Sequence, residues 1–296
     1  MPHLFRSASH KNRYYAWFEA LHTRIDLLLL GSLTEVEFEA VEAAVRAELT
    51  AVEKMGNRFD PDSELSRAVH AANASLCSPV PPRSNASLCS SVPPRSNASP
   101  RSSAGRAPAL GSVVGGLSAD AVPVPVSPAL FALLARCLQA NRDTGGLFDI
   151  TVNSPDFRPG LINRVKLSTE DACSLHFAPL PEWEGASIIL DLSGILKGYA
   201  LERLRALLPT FGIRDALINL GNSSILSLGK NPSDIPAGYC LTTSGNATAD
   251  RRHIRNPLTG EFIIGKHTVS VTTANAIDGE IQSTVSFIQS VLNTHN

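Results

Sequence analysis

The sequence predicts an α+β fold, a single domain in which mixed or antiparallel sheets pack against helices. Strand-like and helix-like segments follow one another in runs, without the regular alternation that is typical of a doubly wound parallel sheet. Hydrophobic residues make up 43% of the 296-residue chain, which is enough for a sizeable core. We therefore expect one large folded domain with helices on its sheets.

The first strong elements form a strand followed by a helix. Residues 24–31 (RIDLLLLG) have the short apolar run of a buried strand. Thr34 and Glu37 have the spacing of a capping box, in which each side chain accepts a hydrogen bond from the backbone N–H of the other. Apolar residues then recur at helical spacing, so we expect an amphipathic helix over residues 35–55. The segment 57–62 (NRFDPD) predicts a turn after it.

The later elements follow the same signals. Ser127 and Pro128 predict the start of a helix, because serine caps the first turn and proline fits its first position. Gly212 predicts a helix end. In all, the remaining predicted helices span residues 127–141, 196–211 and 278–292, and the remaining predicted strands span residues 187–191, 215–220, 238–243 and 267–273.

A tandem repeat interrupts the domain. Residues 73–84 (NASLCSPVPPRS) and 85–96 (NASLCSSVPPRS) are near-identical copies, and the chain stays rich in Ser, Pro, Gly and Ala to about residue 120. Such a composition buries too little apolar surface to offset the entropy cost of ordering. We predict a disordered low-complexity insertion over residues 73–120, within a domain of residues 16–296 that follows an N-terminal tail of residues 1–15.

Charge and cysteine usage exclude some functional classes. The formal net charge is −1 with no block of like charge, which argues against a nucleic-acid partner because phosphates select a basic surface. Five cysteines occur at spacings that match no zinc pattern, which favours free thiols. The N-terminus lacks an apolar run of signal-peptide length, and residues 27–30 are too few for a transmembrane segment. We expect a cytoplasmic protein as the sequence stands, or an extracytoplasmic one if the start is misassigned.

Two segments carry groups that suit phosphate chemistry. In residues 191–200 (DLSGILKGYA), a carboxylate and a turn of small residues precede Lys197 at a predicted helix start. Helix N-termini attract phosphate, although a solvated lysine after an ordinary turn gives the same pattern. Glu280 and Thr284 share one face of the last predicted helix. Two oxygen ligands on one face suit Mg²⁺, but a solvated helix start is the alternative.

Two further segments could contact a substrate. The hydroxyl-rich segment 242–245 (TTSG) predicts a turn, and His253 precedes a Pro-x-Thr-Gly turn. A histidine there could remove a proton from a substrate, or it could be purely structural. In residues 145–152 (GGLFDITV), a glycine pair lets the backbone approach a ligand and a phenylalanine offers a flat face. A simple turn into a strand explains this segment equally well.

The order of these segments resembles that of the motifs in the ApbE family of FAD:protein FMN transferases. The resemblance extends over about residues 20–290, apart from the insertion. The matching segments are, in chain order, residues 62–66 (DSELS), 144–151 (TGGLFDIT), 191–200 (DLSGILKGYA), 219–221 (NLG), 243–245 (TSG), 253–260 (HIRNPLTG) and 280–284 (EIQST).

The resemblance implies an ApbE-like, T-fold-related domain that binds FAD and Mg²⁺. Family members transfer FMN from FAD to a threonine or serine hydroxyl of an acceptor flavoprotein and release AMP. By position, the flavin nucleotide would contact Leu21, Phe59, Leu147, Phe148, Asp149, Asp191, Lys197 and Ile254. The backbone carbonyl of Gly194 and the side chains of Glu280 and Thr284 would hold Mg²⁺, and His253 is the candidate general base.

Several positions depart from the family pattern. Phe59 replaces the usual tyrosine, Leu21 the usual methionine, and Glu280 the usual aspartate. The glutamate is one methylene longer, and Mg²⁺ requires near-ideal octahedral geometry. Two alternatives to the transferase therefore remain open: a flavin-binding protein without transferase activity, and a metal-dependent FAD pyrophosphatase.

Overall fold

The computed structural model describes residues 12–77, 122–179, 187–246, 248 and 253–293. Its elements are, in chain order, β1 (Arg13–Ala20), β2 (Thr23–Leu30), α1 (Glu35–Gly56), α2 (Glu64–Cys77), β3 (Val124–Pro125), α3 (Pro128–Asp143), β4 (Val165–Ser168), β5 (Ser174–Phe177), α4 (Leu196–Leu207), β6 (Asp215–Leu220), β7 (Ser224–Leu228), β8 (Cys240–Asn246), β9 (His267–Thr273) and α5 (Ala276–Leu292). The α+β prediction is confirmed. Residues 1–11 of the predicted tail and 78–120 of the predicted insertion lie outside the described residues.

A six-stranded antiparallel sheet forms the centre of the fold, with the strand order β1-β2-β6-β7-β8-β9. Strand residues alternate between its two faces, and on the inner face Ile25, Leu27 and Leu29 of β2 are fully buried. The helices α1, α4 and α5 pack on this sheet and on one another. A small antiparallel sheet with the order β3-β5-β4 packs against α2.

Helix boundaries follow the local signals of the sequence. The capping box at the start of α1 is complete, since Thr34 Oγ1 accepts from Glu37 N at 3.2 Å and Glu37 Oε2 accepts from Thr34 N at 2.7 Å. Ser127 caps α3. The predicted helix 196–211 is an α-helix only to Leu207 and continues as a 3₁₀ turn to Phe211, because Pro209 has no N–H for the α-helical hydrogen bond.

The prediction of a strand over residues 187–191 is wrong. The backbone N–H groups of Ile188 and Ile189 donate to the side chains of Asn73 and Ser154 rather than to a neighbouring strand. The predicted turn at residues 242–245 is also wrong, because these residues belong to β8.

Two elements extend into ranges that the sequence predicts to be a tail or an insertion. β1 begins at Arg13, inside the predicted tail, and α2 ends at Cys77, inside the range predicted for the insertion.

Among the described helices, none is both long and apolar enough to cross a membrane.

Candidate functional site

A cavity of about 540 Å³ opens where six parts of the chain meet: the β1–β2 turn, the α1–α2 turn, the segment after α3, the start of α4, the β6–β7 turn, and the β8–α5 region. Every residue that the sequence predicts for a site lines this cavity: Leu21, Phe59, Leu147, Phe148, Asp149, Asp191, Gly194, Lys197, His253, Ile254, Glu280 and Thr284. Residues far apart in sequence therefore share one pocket.

The start of α4 gives the cavity a positive corner. The helix begins without a side-chain cap on its first N–H groups, which leaves the N-terminal end of the helix dipole available to an anion. Gly194 is exposed just before the helix, and a Cβ there would meet nothing within 4 Å. Lys197 lies in the first turn and donates through Nζ to the hydroxyl of Ser223. This corner therefore suits a phosphate group.

Glu280 is a buried carboxyl group facing the same corner. Its side chain is 4% exposed, and Oε1 accepts a hydrogen bond from Ser224 Oγ at 2.5 Å. Desolvation raises the pKa of Glu280 from 4.5 to about 7, while the charge of Lys197 and hydrogen bonds from Ser224 and the Gly198 backbone lower it. A buried carboxylate of this kind favours a nearby cation.

Two glycines let α5 approach its neighbours closely. A Cβ on Gly198 of α4 would lie 2.6 Å from the carbonyl oxygen of Ala276 and 2.7 Å from Cγ of Glu280. A Cβ on Gly279 would lie 2.7 Å from the Thr242 hydroxyl oxygen. Both contacts are shorter than packed atoms allow, so these glycines fix the position of the α5 residues that line the cavity.

The end of β8 brings hydroxyl groups to α5. Ser244 Oγ lies 3.0 Å from Thr284 Oγ1 and 2.8 Å from Ser283 Oγ. Gly245 follows with φ +141°, and a Cβ there would lie 2.3 Å from the carbonyl oxygen of His267. Only glycine fits this close approach of β8 to β9.

The segment after α3 forms an apolar wall. Leu147 and Phe148 are buried, and the Thr144 hydroxyl accepts from Phe148 N at 3.1 Å. Asp149 Oδ1 accepts from Thr151 N at 2.7 Å and from Thr151 Oγ1 at 2.6 Å. Burial raises the pKa of Asp149, and these two hydrogen bonds oppose that rise. Thr144 and Thr151, at the two ends of the segment 144–151, thus hold this wall in place through hydrogen bonds.

Asp191 lies at the floor of the cavity with three protein partners. Asn153 Nδ2 donates to Oδ2 at 2.6 Å, Ser193 N donates to Oδ1 at 2.9 Å, and Arg58 Nε lies 2.8 Å from Oδ2 in an ion pair. The Arg58 guanidinium also lies over the Phe59 ring, 4.1 Å from its centre. No sequence pattern points to Arg58 or Asn153, because their common partner Asp191 is far away along the chain. More than a hundred residues separate it from Arg58, and β4 and β5 separate it from Asn153. The only sequence signal for Arg58 is its position next to Phe59, a residue that the resemblance assigns to the flavin nucleotide.

His253 and Ile254 also line the cavity. His253 is exposed and Ile254 is half-buried. The turn that follows them is held by Asn256, whose backbone oxygen accepts from Gly260 N at 2.7 Å and whose side chain accepts from Leu258 N at 2.9 Å. The Pro-x-Thr-Gly pattern is therefore a turn that positions the histidine segment.

The cavity lining includes oxygen donors that could hold a hard cation such as Mg²⁺. No group of three or more His, Cys, Asp or Glu side chains that could hold a metal occurs in the described ranges. Glu280, Thr284 and Gly194 would offer a carboxylate, a hydroxyl and a carbonyl oxygen around one cavity. Mg²⁺ prefers oxygen ligands and is commonly bound through one or two carboxylates, with water and substrate phosphate completing its shell.

The comparison with family models decides the relationship. The model of the ApbE family matches residues 111–293, more than half of the chain. The chain belongs to the ApbE family. No curated protein sequence matches it.

Solved ApbE structures have the same fold. The flavin transferase ApbE from Vibrio cholerae superimposes with a TM-score of 0.60 at 16% identity, covering 92% of this chain and 85% of that one. The apo form of the Pseudomonas stutzeri flavinyl transferase ApbE gives 0.63 at 16% identity, with 98% and 88% covered. The ApbE protein from Thermotoga maritima gives 0.63 at 16% identity, with 96% and 89% covered. The resemblance predicted from the motifs is thus confirmed for family and fold.

Proposed function

We propose that this protein transfers FMN from FAD to a threonine or serine hydroxyl of an acceptor flavoprotein and releases AMP, with Mg²⁺ as cofactor. Membership of the ApbE family supports flavin transfer in general. The observation that carries the specific proposal is the convergence of the nucleotide, metal and base candidates on one cavity. Groups for phosphate binding, for metal binding and for proton transfer are then within reach of a single substrate.

The proposed reaction is a displacement at the phosphorus of the FMN half of FAD. The acceptor oxygen forms a new P–O bond while the bond from that phosphorus to the bridging oxygen breaks. The bridging oxygen leaves with AMP, and the hydroxyl proton passes to a base. Catalysis of such a step is mainly positioning and electrostatic stabilisation.

Lys197 and the start of α4 would hold the diphosphate. The lysine brings a full positive charge and the helix end a partial one, both at the corner of the cavity. Ser223 orients the ammonium group. Glu280, Thr284 and the Gly194 carbonyl would hold Mg²⁺, which supplies positive charge to phosphate oxygens when bound.

His253 would accept the acceptor proton. It is exposed and lines the cavity, so an acceptor protein can reach it while FAD occupies the interior. Histidine ordinarily titrates near neutrality, which suits a general base. Leu147, Phe148, Phe59 and Ile254 would provide the apolar surface for the flavin ring.

The test is a product analysis of the protein mixed with FAD, MgCl₂ and a threonine-containing acceptor flavoprotein. The expected products are an acceptor that has gained one FMN by mass spectrometry and an equal amount of AMP by chromatography. Release of both FMN and AMP without acceptor labelling would identify a pyrophosphatase. FAD binding with no products would identify a binding protein.

A pair of lysine variants controls this test. Lys197→Ala should lose labelling, because the phosphate loses its cation. Lys166→Ala removes an exposed lysine of β4 that does not line the cavity, and it should label normally. Equal labelling by both variants would contradict the role of Lys197.

A further inference from the structure

We propose that Arg58 binds a phosphate of the flavin nucleotide and that Asp191 is a positioning residue that acts through Arg58. This inference rests on the proposed function, because it assigns two residues toward the same substrate. It also changes how Asp191 would act, from contact with the nucleotide to orientation of a neighbouring cation.

The first argument is that protein groups already surround most of the Asp191 carboxylate. Its carboxylate accepts from Asn153 Nδ2 and Ser193 N and pairs with Arg58 Nε at 2.8 Å. The side chain is 6% exposed. A carboxylate with two hydrogen-bond donors, a paired cation and so little exposed surface has little capacity left for a ligand.

The second argument is that the Arg58 guanidinium is fixed in position but still has N–H donors available for a ligand. The Asp191 carboxylate and the Phe59 ring fix the guanidinium from two directions. Its side chain is 25% exposed and lines the cavity. Within the described ranges, no acceptor completes a hydrogen bond with the buried Nε, so charge rather than a directed hydrogen bond holds the pair to Asp191. A planar guanidinium has five N–H donors and matches phosphate oxygens in pairs.

The third argument is the arrangement of the cavity. Lys197 approaches from α4, whereas Arg58 approaches from the α1–α2 turn. Two cations on different elements of one pocket suit a diphosphate, which carries charge on both phosphorus atoms. Phe59, at 65% exposure, lies beside Arg58, so a flavin on its ring would bring the nucleotide phosphate near the guanidinium.

The experiment measures the Kd of FAD and of riboflavin, which has no phosphate, at fixed Mg²⁺ and without acceptor. Arg58→Ala should weaken FAD binding by about 10- to 100-fold, the range for losing a hydrogen bond to a charged group. Riboflavin binding should stay unchanged. Arg58→Lys, which keeps the charge but not the planar fork, should recover part of the FAD affinity.

Arg46 provides the matched control. It pairs with the buried Glu42 at 2.6 Å and lies 3.8 Å from the centre of the Phe18 ring, yet it does not line the cavity. Arg46→Ala removes the same kinds of contact and should leave the Kd of FAD unchanged. A loss of FAD affinity in this control equal to that of Arg58→Ala would overturn the inference.

A double-mutant cycle tests the role of Asp191. If Asp191 acts through Arg58, Asp191→Asn weakens FAD binding in the wild type but has no further effect in Arg58→Ala. Additive losses, or equal losses for FAD and riboflavin, would overturn the positioning role. If Asp191→Asn does not fold, the Arg58→Ala and Arg58→Lys comparison carries the test.

The two proposals fail in different ways. A wild-type protein that binds no FAD refutes the proposed function and this inference with it. A wild-type protein that binds and transfers FMN, with a Kd for FAD that Arg58→Ala does not change, refutes the inference alone.

Discussion

Glu280→Gln should change how the stability of the metal-free protein depends on pH. Burial raises the pKa of Glu280 from 4.5 to about 7 in the folded protein. Below the unfolded value both states hold the proton, and the shifted pKa makes no pH-dependent contribution to stability. As the pH rises, the unfolded chain loses its proton first, so stability falls until the folded group also ionises. The full loss is about 3 kcal/mol at 1.36 kcal/mol per pKa unit.

The assay is urea unfolding of the wild type and Glu280→Gln in EDTA at two pH values. Between about pH 5.5 and about pH 8, the linkage relation gives a loss of about 2 kcal/mol in the wild type that the glutamine variant lacks. Any constant cost of the amide cancels, because only the difference between the two pH values is used. Parallel pH profiles for the two proteins would refute the buried-carboxyl reasoning.

Three further predictions concern the same corner of the cavity. Gly198→Ala should destabilise the protein by about 1–3 kcal/mol in urea unfolding, because the added Cβ overpacks the contact with α5. Gly194→Ala is the control: its Cβ would have no atom within 4 Å, so its stability should change little. Equal effects of the two substitutions would contradict the packing argument. Mg²⁺ should raise the Tm of the wild type over that in EDTA and should not raise that of Glu280→Gln, and an equal rise in both would place the metal elsewhere. Lys197→Ala should weaken AMP binding about tenfold, the effect of one charge-assisted hydrogen bond, as measured by calorimetry against Lys166→Ala.

Elements with local signals could be predicted from the sequence. The capping box of Thr34 and Glu37 fixes the start of α1 through contacts three residues apart. The strand β9 has its predicted bounds, His267–Thr273. By contrast, residues 187–191 look like a strand because they are apolar, but Asn73 and Ser154 take their backbone hydrogen bonds. Such long-range partners leave no trace in a local pattern.

The candidate site shows the same contrast between local sequence signals and long-range contacts. The motifs that carry Lys197 and Glu280 could be recognised in the sequence, and the structure brings both to one cavity. The ion pair of Arg58 with Asp191 could not be predicted, because it joins the α1–α2 turn to a segment beyond α3. A motif specifies which residues are present, whereas the pairing of charges depends on how the elements pack.

The packing of α5 links stability to the chemistry of the cavity. Gly198 and Gly279 allow α5 to lie so close to α4 and β8 that Glu280 is buried, and burial is what raises its pKa. A buried acid that must ionise above neutral pH destabilises the folded protein, because its charged form loses hydration. A cation near Glu280 offsets the cost, and Lys197 does so only in part. The close helix contact therefore creates a buried carboxyl group that a further positive charge would stabilise in its ionised form, and under the proposed function Mg²⁺ would supply that charge.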